Sequence, residues 1–357
     1  MLADPGQLAR DLHEARARAV RVTADIDGGR LLGPKMKIVN PPLWEIGHVS
    51  WFQERWCLRP RADGSLADSI LPGADALYDS SAVAHDTRWS LPLPDLKATR
   101  AYGDAVLERV GERLAREPES ETLQYFVRLS TFHEDMHAEA FLYTRQTLGY
   151  PDPGFEFPRK GCSAGDIEMP GGTFELGAKR SRDFVFDNEK WAHEVHVAPF
   201  RIARSPVTNA QFLAFVEAGG VAPRHWKKEG GAWRERRFER WQPLALDEPV
   251  RHVSWEEAQA YCARAKRRLP TEAEWECASQ RLEFGQVWEW TASDFLPYPG
   301  FAADPYKDYS QPWFGTHKVL RGASFFTPAR LRWPTFRNFY TPDRADVFCG
   351  LRTCALG

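Results

Sequence analysis

The chain has 357 residues, 43% hydrophobic and 27% charged, which is the balance of a folded globular protein and enough length for two ordinary domains. Lys plus Arg number 47 against 49 for Asp plus Glu, a net charge of -2, so no global basic field exists to hold a nucleic acid. The opening MLADPGQLARDLHEARARAV is charged throughout and no later stretch is apolar for the width of a bilayer; neither a signal peptide nor a membrane span is expected, and the protein is assigned to the cytoplasm.

Residues 1–150 read as a helical bundle, because apolar positions recur at three- and four-residue steps. A first helix is predicted near 5–28. A second starts at Asn40-Pro41-Pro42, with Asn able to cap and Pro pre-set for the first turn. A third runs near 95–118 and a fourth near 120–148, and the long polar connection from about 58 to 94 suits a bundle with a crossover. Pro and Gly density in GYPDPG then marks a linker over 151–166.

Residues 167–357 form a second, α+β domain. MPGGTFELG predicts a short strand with turns, and HEVHVAPFRIA alternates as a strand does. Thr208 is placed to cap AQFLAFVEA, while Ser254 with Glu257 and Thr271 with Glu274 are capping boxes for two further helices. From Gly285 onward the chain is aromatic, turn-rich and short of regular periodicity. The six cysteines are scattered without a CxxC pair, which predicts reduced, mostly buried thiols rather than a zinc site or disulfide scaffold. The 14 tryptophans supply faces for cations as well as core.

Chemistry concentrates in the bundle. FHEDMHAEAF puts His133 and His137 one turn apart, roughly 5–6 Å, on one face of the fourth helix, with Phe126, Leu129 and Ala140; Gln124, Arg128, Asp135, Glu139 and Gln146 fall opposite. His48, flanked by Trp44, Trp51 and Phe52 at helical spacing in the second helix, also faces the bundle core. A lone i,i+4 pair is more often a hydrogen-bonded core feature than a ligand set. Three inward imidazoles suit Zn, Cu, Fe or Ni, and facing helices are how bundles build metal sites. The HExxxH around Glu134 is one residue longer than the zincin HExxH and does not match it.

NPPLWEIGHVSWFQE and FHEDMHAEAF resemble the iron-binding helices of the ergothioneine and ovothiol type sulfoxide synthases, whose bundle is DinB-like. MPGGTFELG, FDNEKWAHEVHV, PVTNAQFLAFVEAGG, HVSWEEAQAYCARAKRRLPTEAEWE, VWEWTASDFLPYPGF, VLRGAS and FRNFYTPDR resemble their formylglycine-generating-enzyme-type domain, of C-type-lectin-like fold. The resemblance spans nearly the whole chain. It implies Fe(II) held by His48, His133 and His137 between the domains, and O2-dependent joining of a sulfur or selenium donor to the imidazole of hercynine (Nα-trimethylhistidine), the metal acting as template and redox centre. It places the family's proton-supplying tyrosine on Tyr306 and a second pocket tyrosine on Tyr309. Asn338 falls where the betaine carboxylate is held and Phe339 where an aromatic lies beside it, a face suited to a trimethylammonium.

The donor pocket departs from the enzymes that use γ-glutamylcysteine. Arg88 matches one of a pair of arginines clamping donor carboxylates, but His85 stands in place of the other. Tyr340 replaces an acid facing the donor, Met136 replaces a glutamine near the hercynine imidazole, and the stretch from Gln280 to Gln286 is much shorter than in the family. A hydroxyl- and aromatic-lined pocket suits a sugar better than an amino-acid thiol, so the resemblance points to the selenoneine synthase branch with a seleno-sugar donor; an ergothioneine synthase taking cysteine or γ-glutamylcysteine is the alternative. A formylglycine-generating enzyme is disfavoured, because FRNFYTPDR lacks the upstream member of the cysteine pair that chemistry needs. A DinB-type metal-binding or thiol-transferase module without oxygenase activity would leave the aromatic C-terminal domain and Tyr306 without a role.

Overall fold

The computed structural model describes residues 4–157, 161–180 and 184–356. The chain divides into two compact units, one running to Leu148 and including Phe184, the other formed by the rest from Gly149 onward. In the first unit, α1 spans Pro5–Val22, α2 Pro42–Cys57, α3 Ala74–Tyr78, α4 Leu96–Arg116 and α5 Glu121–Leu148. Asp4 and Asp95 cap α1 and α4, accepting from Gly6 N at 3.0 Å and Ala98 N at 2.7 Å. The four long helices form the DinB-like bundle.

Helix α1 buries Leu8, Leu12, Ala15, Ala19 and Val22, the stripe its periodicity predicts. It stops at Val22, short of the predicted end near 28, because the Thr23 hydroxyl turns back to Ala19 O and Arg145 of α5 takes the Asp25 carboxylate at 2.7 and 2.9 Å. At the start of α2 the expected cap is replaced. Pro41 is the capping residue and Asn40 instead accepts from Arg88 at 2.7 Å, so the helix begins on proline geometry alone.

Helix α5 is buried on its polar side too: Gln124, Asp135, Glu139 and Gln146 are all buried. Asp135 pairs with Arg18 at 2.8 Å and Glu134 with Arg16 at 2.5 Å, both on α1. The side chain of Glu134 is therefore spent on holding two helices together. Breaking such a buried pair from one side typically costs about 3–5 kcal/mol.

The second unit carries α6 (Asn209–Glu217), α7 (Trp255–Arg264) and α8 (Glu272–Ala278); α7 and α8 begin with the two predicted capping boxes, and the predicted cap Thr208 of α6 forms a box as well, with Gln211. Its strands are β1 (Asp166–Met169), β2 (Gly172–Leu176), β3 (His193–Val197), β4 (Phe200–Ala203), β5 (Trp226–Glu229), β6 (Ala232–Arg237), β7 (Arg240–Pro243), β8 (Arg267–Arg268), β9 (Trp288–Asp294), β10 (Lys318–Gly322), β11 (Asn338–Tyr340), β12 (Cys349–Leu351) and β13 (Cys354–Ala355). They form sheets in the orders β1-β4-β13-β8, β11-β10-β9-β12, β2-β3 and β5-β6-β7. Among these strands, β9 and β12 pair in parallel and the other pairings are antiparallel.

The stretch from Gly285, read as irregular, thus builds a four-stranded sheet. Its strands are short, and the first four residues of β9 are buried on both faces, which erases the alternation that would have revealed a strand. Arg352 and Trp275 both satisfy the fully buried Glu289, at 2.7 Å each, and Arg321 and Arg337 both reach Glu272 at 2.9 Å. Phe157, in the Pro- and Gly-rich stretch after the bundle, lies 4.3 Å from Phe325, with Arg237 over its ring at 4.9 Å. All six thiols are free and four are buried. Among the described residues no helix is long and apolar enough to cross a membrane.

Candidate metal centre

His48 on α2 and His133 and His137 on α5 come together, one ring nitrogen of each lying within 4.8 Å of the others. The ring centroids are 5.1 Å (His48 to His133), 5.1 Å (His48 to His137) and 4.5 Å (His133 to His137) apart. His48 and His133 are buried and His137 is partly exposed. Phe52 stacks on His133 at 3.7 Å, and Trp44 stacks on His48 at 4.8 Å with planes 10° apart.

Two of the rings are oriented by their Nδ1 atoms. His48 Nδ1 donates to Tyr78 O at 2.8 Å. The carbonyl reaches α2 because Gly47 has no side chain: a Cβ there would lie 2.2 Å from the Tyr78 ring. His137 Nδ1 donates to Glu45 Oε1 at 2.6 Å. In both rings the proton on Nδ1 leaves the Nε2 lone pair for a ligand. Burial, then the neighbouring His137, drives His48 and His133 well below the ordinary imidazole range. Three clustered imidazoles, two of them oriented through Nδ1, fit a transition-metal ion such as Fe(II).

Glu45 escaped the sequence reading, although its i,i+3 spacing to His48 puts both on one face of α2. The long connection holds Arg88 and His85. Arg88 is buried; it donates to Asn40 at 2.7 Å and Val83 O at 3.3 Å, and its guanidinium lies 3.9 Å over Trp44. His85 Nε2 donates to Val39 O at 2.9 Å. Met136 is half-buried between the two α5 histidines in sequence.

The remaining predicted residues gather in the second unit. Tyr309 stacks on Phe186 at 4.6 Å and meets the edge of Phe339 at 5.9 Å, with Tyr306 6.2 Å away. Burial, reinforced by Glu189 and Asp187, raises the Tyr309 hydroxyl well above 10, so it stays protonated. Phe339 stacks on Phe295 at 4.1 Å. Asn338 accepts from Phe339 N at 2.9 Å, which leaves its NH2 to donate. Tyr340 lies under the Arg344 guanidinium at 4.9 Å.

Residues 11–141 match the DinB superfamily and residues 156–286 the sulfatase-modifying factor enzyme 1-like domain. The class is therefore a DinB-like bundle joined to a domain of C-type-lectin-like fold. Hercynine oxygenase of Mycolicibacterium smegmatis is 32% identical, covering 97% of this chain and 97% of that protein, and that of Mycobacterium tuberculosis is 30% identical, covering 98% and 99%. Formylglycine-generating enzyme of Streptomyces coelicolor is also 32% identical, but over only 37% of this chain and 52% of its own. The chain belongs to the hercynine oxygenase family, the ergothioneine and ovothiol type sulfoxide synthases.

Proposed function

We propose that this chain is an O2-dependent oxygenase that forms a carbon–chalcogen bond at the imidazole of hercynine, with Fe(II) held by His48, His133 and His137. The observation that carries the proposal is the three-histidine cluster, two of its rings held in one tautomer, in a chain similar to hercynine oxygenases over 97–98% of its length. When bound, the iron supplies redox chemistry toward O2 and a template for the substrates. Overall, the imidazole C–H and the donor chalcogen–hydrogen bonds break, and a carbon–chalcogen bond forms. O2 accepts four electrons, one oxygen atom leaving as water and the other ending on the chalcogen.

The chain's own residues have separable tasks. The free NH2 of Asn338 would hold the betaine carboxylate, and the faces of Phe339 and neighbouring rings the trimethylammonium, a contact worth up to about 2 kcal/mol when desolvated. Tyr306 would donate the proton, with the always-protonated Tyr309 beside it.

For the donor we favour a seleno-sugar, as in selenoneine synthases. This is supported by the occupation of the residues that would otherwise clamp carboxylates. Arg88 is bonded to Asn40 and a carbonyl and stacked on Trp44, and His85 is bonded to Val39 O. Charge-assisted bonds contribute roughly 1.5–3 kcal/mol each, so the missing clamp costs γ-glutamylcysteine about one to two orders of magnitude in affinity. The test is anaerobic Fe(II) reconstitution, hercynine at saturation and equal concentrations of 1-seleno-sugar, cysteine and γ-glutamylcysteine, with product masses read after O2 is admitted. Predominant selenium incorporation is expected. Predominant sulfur from cysteine or γ-glutamylcysteine would replace the seleno-sugar with the ergothioneine alternative, and no hercynine-dependent O2 uptake with any donor would overturn the oxygenase assignment.

A further inference from the structure

The residue behind His137 differs in kind from the group behind His48. Glu45 sits one turn before His48 on α2 and is only 2% exposed. Its Oε1 accepts from His137 Nδ1 at 2.6 Å, whereas His48 Nδ1 meets the neutral backbone carbonyl of Tyr78 at 2.8 Å. One ligand is therefore backed by a full negative charge in a poorly solvated interior and the other by an amide dipole.

That charge has no counterion of its own. Among the described residues no lysine or arginine lies within 4.0 Å of the Glu45 carboxylate, and its one ion-pair contact is His137 itself. Arg88, the cation that acts on it from a distance, is engaged elsewhere, on Asn40, a carbonyl and the Trp44 face. A carboxylate this deeply buried is costly without a paired cation. Of the other buried carboxylates of the bundle, Glu134 has Arg16 and Asp135 has Arg18, while Glu54 has three neutral donors instead, Ser69, the Ile70 amide and Tyr102. Glu45 has neither, only the His137 ring beside the imidazole cluster. A divalent cation on the Nε2 side of His137, one ring away, would supply the missing positive charge.

We propose, on the basis of the three-histidine assignment above, that Glu45 is the positioning and charge-setting residue of the metal centre. It fixes the Nδ1–H tautomer of His137, makes that imidazole the more electron-rich of the two whose partners are defined, and offsets part of the charge of the bound cation. Because an anionic neighbour stabilises the higher oxidation state more than the lower, it also holds the potential of the bound iron down. His137 is then the ligand through which the protein tunes the metal, and His48 mainly orients.

The experiment uses the full-length chain with Co(II) and anaerobic Fe(II) as probes, binding being followed by titration against a competing chelator. Glu45→Gln keeps the shape and an acceptor but not the charge; it should weaken both ions roughly 10–100-fold and raise the iron potential. Thermal unfolding of the metal-free variant checks that the fold is retained. Glu45→Ala should lose at least as much, and formate, able to fill the vacated space with a carboxylate, should restore binding where formamide does not. Binding to Glu45→Gln within twofold of the parent overturns the inference, as does failure of formate to restore Glu45→Ala. A parent chain that binds neither ion overturns the three-histidine assignment itself, a result distinct from both.

Discussion

In the bundle, the three imidazoles stand on α2 and α5, helices whose backbones are hydrogen-bonded internally, and each element contributes at fixed spacing. In the second unit Tyr306 and Tyr309 lie outside helices and strands, and Asn338, Phe339 and Tyr340 occupy a three-residue strand. There, position is set by ring stacking from segments far apart in sequence, such as Phe186 on Tyr309 and Phe295 on Phe339. The difference has a physical lesson. A helix defines ligand direction to within a rotamer, which a metal requires, whereas an aromatic cluster defines a surface, which a flexible cation and a donor require. The two regions also differ in how burial is offset: ion pairs between helices in one, and arginines shared on single glutamates in the other.

The largest expected effect tests the helical half of this contrast. His133→Ala or His137→Ala should abolish iron content and hercynine-dependent turnover together, as measured by metal analysis and O2 uptake. A variant that keeps full iron and activity would remove that histidine from the ligand set.

Next comes the aromatic half. Tyr306→Phe should retain iron and hercynine binding while product formation falls roughly 10²-fold or more, the usual range for losing a positioned proton donor. Unchanged product yield, measured by mass spectrometry, would make the tyrosine part of the surface only.

A smaller effect concerns a second buried histidine pair, His225 and His252, in contact at 4.6 Å. Burial, with His252, Arg236 and Arg224 adding to it, depresses His225 far below the usual range; burial and then Arg251 bring His252 down to about 3. Unfolded imidazoles take up protons as pH falls through about 6.5, and these folded ones do not, so stability is complete above that pH and is lost as pH falls from there toward 3. Glu189, raised by burial to about 7, acts in the opposite direction between its unfolded value and 7, so the difference between parent and variant is the useful quantity. His225→Asn, whose side-chain oxygen can still accept from Arg236, should flatten the acid side of the stability profile by ~1.4 kcal/mol per pH unit. Equal slopes in denaturant titrations at pH 4, 5 and 6 would contradict the pair's neutrality. Smallest is Thr208→Ala, which removes the cap of α6 and should cost about 1 kcal/mol in the same assay.

Much of the first unit was legible because its signals are local. The i,i+4 spacing of His133 and His137, the aromatic flank of His48 and the stripe on α1 need only helical geometry to be read. The cap at Thr208 and the capping boxes at Ser254 and Thr271 were legible for the same reason. The strands after Gly285 were not, since strands buried on both faces lose their alternation and their partners come from distant sequence. Glu45 carried a local signal, its spacing to His48, but what it does depends on α5 bringing His137 to it, 92 residues away.

The sequence by itself therefore determined which residues could form a metal cluster, where the helices carrying them begin, and the family whose motifs they share. Tertiary structure alone decided the tautomers, through the Tyr78 carbonyl admitted by Gly47 and the carboxylate of Glu45. It also decided that Arg88 and His85 serve the chain before α2, and that Glu134 braces α1 against α5. The physical reason is that side-chain type and spacing fix what a residue can offer, while the partner that uses the offer arrives through packing between elements remote along the chain.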